Sequence, residues 1–120
     1  MTWYAAHAVL SVVFKDGNQD HIPLWENVYL IQADSSDAAF DAAEACVRQF
    51  ESVVDESFTF EGRPARWRFR GIRKMIACDV DERGNLFSGS EATFLQMELK
   101  SEEELRAFLE LETVTLKLDE

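Results

Sequence analysis

From Pro64 to Ala77 the chain reads Pro-Ala-Arg-Trp-Arg-Phe-Arg-Gly-Ile-Arg-Lys-Met-Ile-Ala, and this stretch constrains the fold more than any other. Arg66, Arg68 and Arg70 alternate with Trp67 and Phe69. Side chains on a strand point to opposite faces in turn. A strand here therefore sets three guanidinium groups on one face and two large aromatics on the other, so it needs a sheet with one covered, apolar face. The alternation slips at Gly71, after which Ile72 falls in phase with the arginines and Arg73 with the aromatics. A glycine at such a slip signals a β-bulge, which would return Ile72 to the core side.

Charge is distributed as unevenly as polarity. Arg63 to Lys74 holds six of the 12 basic residues and no acid, while the whole chain carries −11, so the remainder bears seventeen excess negative charges. Three expectations follow. The arginines pair with carboxylates on neighbouring elements, or they belong to an oligomer-forming surface, or Arg66, Arg68, Arg70 and Arg73 form an anion-binding face, with Trp25 or Tyr29 available for stacking. The acidic balance, with a pI near 4.5, argues against general nucleic-acid binding, which neutralises phosphates with a basic surface. It suits a protein steered toward a basic partner.

The remaining segments predict an α+β domain spanning residues 1–120. Trp3–Phe14 reads as a strand, with Tyr4, Ala6, Ala8, Leu10, Val12 and Phe14 on one continuous apolar face. Lys15–Asn18 is a turn. Leu24–Ala33 is a second, antiparallel strand, apolar on both faces. That pattern predicts an interior strand with cover on both sides, and cover by a second copy in a homodimer fits it equally. Asp34-Ser35-Ser36-Asp37 starts a helix, with side-chain oxygens for the free N–H groups and acids at its positive end. The helix is expected to reach about Val54, with Ala39, Ala43, Cys46, Phe50 and Val53 inward. Asp37, Asp41, Glu44, Glu51 and Asp55 lie on the opposite, acidic face, the candidate partner-binding surface. Ser57–Phe60 and the Arg-rich strand form a hairpin through Glu61-Gly62-Arg63-Pro64. Glu91–Leu99 alternates as a strand. Ser101 to Glu104 is a capping box opening a short helix to about Glu110, and Thr113–Leu118 closes the chain as a strand. The order β-β-α-β-β-β-α-β, joined mostly by hairpins, implies a curved antiparallel sheet of five to six strands with the long helix on one face.

Catalytic and metal chemistry find little support. Zinc needs three or four ligands at suitable geometry, and His7, His21, Cys46 and Cys78 show no paired spacing. Both cysteines are expected as buried free thiols. Asp79 to Gly84 begins like a calcium loop, but Arg83 takes a ligand position and Ser90 stands where a bidentate Glu is needed. It reads as a hairpin turn. No phosphate loop or nucleophile elbow occurs. Neither a cofactor nor a metal is expected, and the chain is read as a non-enzyme. No segment approaches 18 apolar residues and the Met1 end lacks a basic, then apolar, leader, so the expected location is the cytoplasm.

Trp3-Tyr4-Ala5, the strand Leu24-Trp25-Glu26-Asn27-Val28-Tyr29-Leu30, the helix start from Ala33 to Glu44, and Trp67-Arg68-Phe69-Arg70-Gly71-Ile72 together resemble a bacterial family, domain of unknown function 4288. The likeness runs over roughly residues 3 to 98; the capped helix and final strand after Lys100 depart from it. The resemblance implies the fold and brings no activity with it. The functional expectation is thus a non-catalytic protein-binding module. Its concrete form is an immunity- or antitoxin-like protein that covers a basic toxin with carboxylates. The alternative is a nucleic-acid or nucleotide binder using the Arg-rich strand at 66–74.

Overall fold

The computed structural model describes residues 1–52 and 57–118. Its elements are β1 (Thr2–Phe14), β2 (Leu24–Ala33), α1 (Ser36–Ser52), β3 (Thr59–Phe60), β4 (Arg63–Ala77), β5 (Met97–Glu98), α2 (Glu102–Leu109) and β6 (Lys117–Leu118). This is the predicted order, in an α+β architecture. The strands do not join one sheet, however. A four-stranded antiparallel sheet runs β2-β1-β4-β3, and β5 and β6 pair separately.

β1 is the central strand because alanines along it admit close neighbours on both sides of the sheet. On its inner face Ala6, Ala8, Leu10, Val12 and Phe14 are buried. α1 covers that face, bringing Ala39, Ala43 and Val47 against it. Ser35 caps α1, its Oγ accepting from Ala38 N–H at 3.1 Å. The buried helix stripe follows a four-residue step, so it corrects the expected inward set. Cys46 is exposed and Phe50 is largely so. Val53 and the helix end at Val54 lie outside the described residues.

Along β4, two irregularities in the pairing with β1 leave Arg70 and Arg73 without partners in register. Between them Gly71 takes φ +141°, a conformation that side chains oppose. The bulges restore the phase: Trp67, Phe69, Ile72 and Met75 all pack on the helix side. The β3–β4 hairpin turns through Glu61 (φ 55°) and Gly62 (φ 74°), both left-handed as a type I′ turn requires.

Two expectations fail. β2 is an edge strand, not an interior one, because β1 has taken β4 as its second neighbour. Glu91–Leu99 and Thr113–Leu118 alternate well, yet only Met97–Glu98 and Lys117–Leu118 are strands. Among the described residues the ladder pairing of these segments is that of β5 with β6. Among the described residues no helix is long and apolar enough to cross a membrane.

Candidate functional site

Register assigns every strand residue to a face, since directly paired residues share one. Opposite α1, the open face carries Leu24, Glu26, Val28 and Leu30 from β2, with His7, Val9 and Ser11 from β1. β4 contributes Arg66, Arg68 and Lys74, which pair with Val13, Ser11 and His7. Trp25 and Tyr29 pair with Leu10 and Ala6, on the helix face. The expected stacking residues are thereby separated from the arginines. Trp25 instead meets Trp67 edge-on at 5.0 Å and Phe60 at 5.6 Å.

The basic residues divide into three groups. Arg63 is fully engaged: it donates to Asp16 at 2.8 Å and Asp20 at 3.1 Å, and lies 3.6 Å over the Phe14 ring. Its guanidinium holds the Asp16 carboxyl below its ordinary value, and His21 followed by Arg63 does the same for Asp20. His21 bridges Asp20 and Glu61; Glu61 first and Asp20 second raise its pKa. Arg73 pairs with Glu26. Arg66 and Arg68 are exposed and form no ion pair with a described residue, while Arg70 donates to the Ser11 hydroxyl at 3.3 Å. Internal pairing thus accounts for the two ends of the Arg-rich stretch and leaves its middle open.

At the other end of this face lies a buried polar network. His7, 1% exposed, approaches the Glu26 carboxylate through Nδ1 at 3.1 Å and the Thr93 hydroxyl through Nε2 at 2.5 Å. Arg73 and, to a smaller degree, His7 lower the Glu26 pKa to about 2 against the opposing effect of burial. Hydroxyl, imidazole and carboxylate in line are the parts of a nucleophile–base–orienter relay. Here the ring has almost no accessible surface, and Arg73 already neutralises the carboxylate. The arrangement serves as a clamp. With Lys74 Nζ donating to the Phe94 carbonyl at 2.5 Å, it fixes residues 93–94 on the open face. Sequence reading placed His7 on this face but had no signal for Thr93, 86 positions away.

The acidic helix residues do not form one free surface. Asp37 and Asp41 are exposed. Glu44 sits 3.5 Å from Arg48, and Glu51 accepts from the Phe69 backbone N–H on the side of β4 that β3 leaves open. Asp55 is outside the described residues. Among the described residues no group of three or more His, Cys, Asp or Glu is placed to hold a metal. At Asp79–Asn85, Asp81 accepts from the N–H groups of Arg83 and Asn85, a plain turn. Cys78 is buried, which raises its pKa, as expected for an inert thiol; Cys46 is not.

Beyond Phe94 the character changes. Ser101 caps α2, its Oγ accepting from Glu104 N–H at 3.2 Å, while Glu104 reaches back to Lys100 N–H at 3.1 Å. Yet α2 buries none of its residues. Leu109 is 71% exposed and Leu111 94%. A groove of about 660 Å³ opens between β5 and α2, lined by Leu95, Met97, Leu99, Leu105, Phe108 and Leu116 among others. Neither α2 nor the β5–β6 pair packs extensively on the main sheet or α1. The radius of gyration is 17.3 Å, against roughly 13.5 Å for a compact chain of this length. The capping box was legible; that the helix behind it covers nothing was not.

No curated protein and no solved structure matches the chain. The profile described as Domain of unknown function (DUF4288) matches residues 3–88, ending short of the expected residue 98 and before the C-terminal unit begins. That match spans most of the sequence, and the chain belongs to the DUF4288 family.

Proposed function

We propose that this protein is a non-catalytic protein-binding module whose contact surface includes the C-terminal unit. The observation that carries the reading is the apolar surface of residues 95–118, which the other described residues leave exposed. Monomeric proteins rarely leave contiguous apolar surface of this kind open, and where they do it serves an interaction. The unit is also acidic: six glutamates stand against Lys100, Arg106 and Lys117. An apolar surface rimmed by carboxylates suits a partner with apolar and basic groups together. Neutralisation of a basic toxin, with Asp37 and Asp41 adding to the acidic field, is the concrete immunity-like form of this reading. The test is capture of a stoichiometric partner from native lysate by the tagged protein and by Leu109→Asp. The reading predicts a partner held by the parent and released by the variant. A partner indifferent to Leu109, or none at all, contradicts it.

Arg66 and Arg68, exposed and without an ion pair among the described residues, favour a second reading, an anionic ligand such as single-stranded nucleic acid. With Trp25 and Tyr29 on the other face, it would rely mainly on phosphate contacts, so affinity should fall steeply with salt and with Arg68→Ala. Titration with a labelled oligonucleotide decides it; binding indifferent to both removes the reading.

A further inference from the structure

We propose that the C-terminal unit of one copy docks on the open, arginine-lined sheet face of a second copy, and that reciprocal exchange gives a symmetric dimer. The inference rests on the protein-binding reading and names the partner.

Two surfaces expose apolar and charged side chains among the described residues, and they are complementary. On the open face, Leu24 is 60% exposed, Val28 42% and Leu30 46%, forming an apolar row on edge strand β2. Arg66 and Arg68 lie two strands away on β4, roughly 10 Å across the sheet. Register brings the apolar row and the arginines together at one end of the face, where Leu24 and Arg68 flank Ser11; Arg66 lies one step further out, while Val28 and Leu30 run the other way, past Glu26. A helix with its side chains is about 10–12 Å wide, enough to touch both. On α2, Leu105, Phe108 and Leu109 share one side at helical spacing, and Glu102 lies at its margin. Seating that side at Leu24 brings Glu102 toward Arg68 and Arg66.

Charge selects this pairing over its rivals. Two C-terminal units are both acidic and repel one another, so arm-on-arm association is disfavoured. Two open faces would oppose their arginines. Only the mixed contact matches apolar with apolar and carboxylate with guanidinium. The clamp at His7, Thr93, Glu26 and Lys74 holds the start of the arm on its own sheet, and beyond it the arm leaves Arg66 and Arg68 bare. Exchange about a two-fold axis uses both surfaces twice and closes the assembly.

The test is the solution mass of the full chain by light scattering, at micromolar concentration and low salt. The expected mass is twice 13.8 kDa, falling toward the single-chain value as salt screens the ion pairs. Arg66→Glu with Arg68→Glu should halve it. Glu98→Lys with Glu102→Lys should halve it too, and an equimolar mixture of the two variants should restore the doubled mass. All four positions are exposed, and circular dichroism verifies that both variants fold. A single-chain mass for the parent overturns the proposal. So does a doubled mass that survives the arginine substitutions, or a mixture that stays single-chain. If the parent is single-chain yet Leu109 is still needed to retain a lysate partner, the second copy is excluded while the protein-binding reading stands.

Discussion

The sheet and the C-terminal unit are built from similar sequence and end in opposite states. Both alternate apolar and polar residues, and both have a capped helix. In the first, β1 supplies buried alanines and α1 answers with Ala39, Ala43 and Val47, so layers close onto each other with little left over. In the second, large residues predominate on a pair of two-residue strands and an eight-residue helix. These elements are too short to enclose one another. The comparison teaches that amphipathic patterning states which side wants cover, while element length and neighbour availability decide whether the chain can provide it. The family profile covers the self-sufficient part and stops at residue 88.

The sharpest way to break this contrast is to remove core from each region. Leu10 is buried among Ala8, Val47 and the β4 aromatics, so Leu10→Ala should lower stability by about 2–5 kcal/mol in urea unfolding. Leu109→Ala should change unfolding of the dilute protein by less than about 0.5 kcal/mol. Equal losses would mean that the two regions share one core.

The junction gives the next largest effect. His7→Ala leaves Glu26 and Thr93 without their buried partner, at a cost of about 1–3 kcal/mol. Amide exchange at residues 93–94 should accelerate, with little change along α2. A catalytic relay has no reason to produce that exchange pattern.

Acid acts on the same junction. The Glu26 pKa is lower in the folded state than in the unfolded chain, so its ionised form stabilises the fold above about pH 4.5. That contribution is lost as pH falls toward about 2. With the side chain partly in solvent, it amounts to roughly 1–2 kcal/mol. Glu26→Gln should flatten the parent's stability profile over that window, and an unchanged profile would contradict the assignment. His21 has the opposite sign: its raised pKa adds stability below about pH 6.5 that is lost as pH rises through the higher folded value.

Much of the main sheet was readable because its signals are local. The alternation of β1 and β4, the Asp34–Asp37 helix start, and the slip at Gly71 each fix a short segment. What escaped the sequence is pairwise and distant. Nothing local says that β2 would be an edge, that Thr93 would meet His7, or that the inward stripe of α1 would pass through Val47 instead of Cys46. The arginines show both sides of this limit. Alternation placed Arg66 and Arg68 on one face, but only the folded neighbours reveal that Arg63 and Arg73 find carboxylates and that, among the described residues, the middle pair does not.

The smallest effect belongs to the α2 cap. Ser101→Ala should cost the helix about 1 kcal/mol locally while leaving the global unfolding midpoint unchanged, a difference that exchange rates along α2 can resolve.

The most direct measurement of the central claim is amide hydrogen exchange of the full chain over a range of protein concentrations. The account predicts that β1 is strongly protected at every concentration, while α2 exchanges fast in dilute solution and gains protection as the protein is concentrated. Protection of α2 equal to that of β1 at the lowest concentration would contradict it, since the C-terminal unit would then be covered by its own chain.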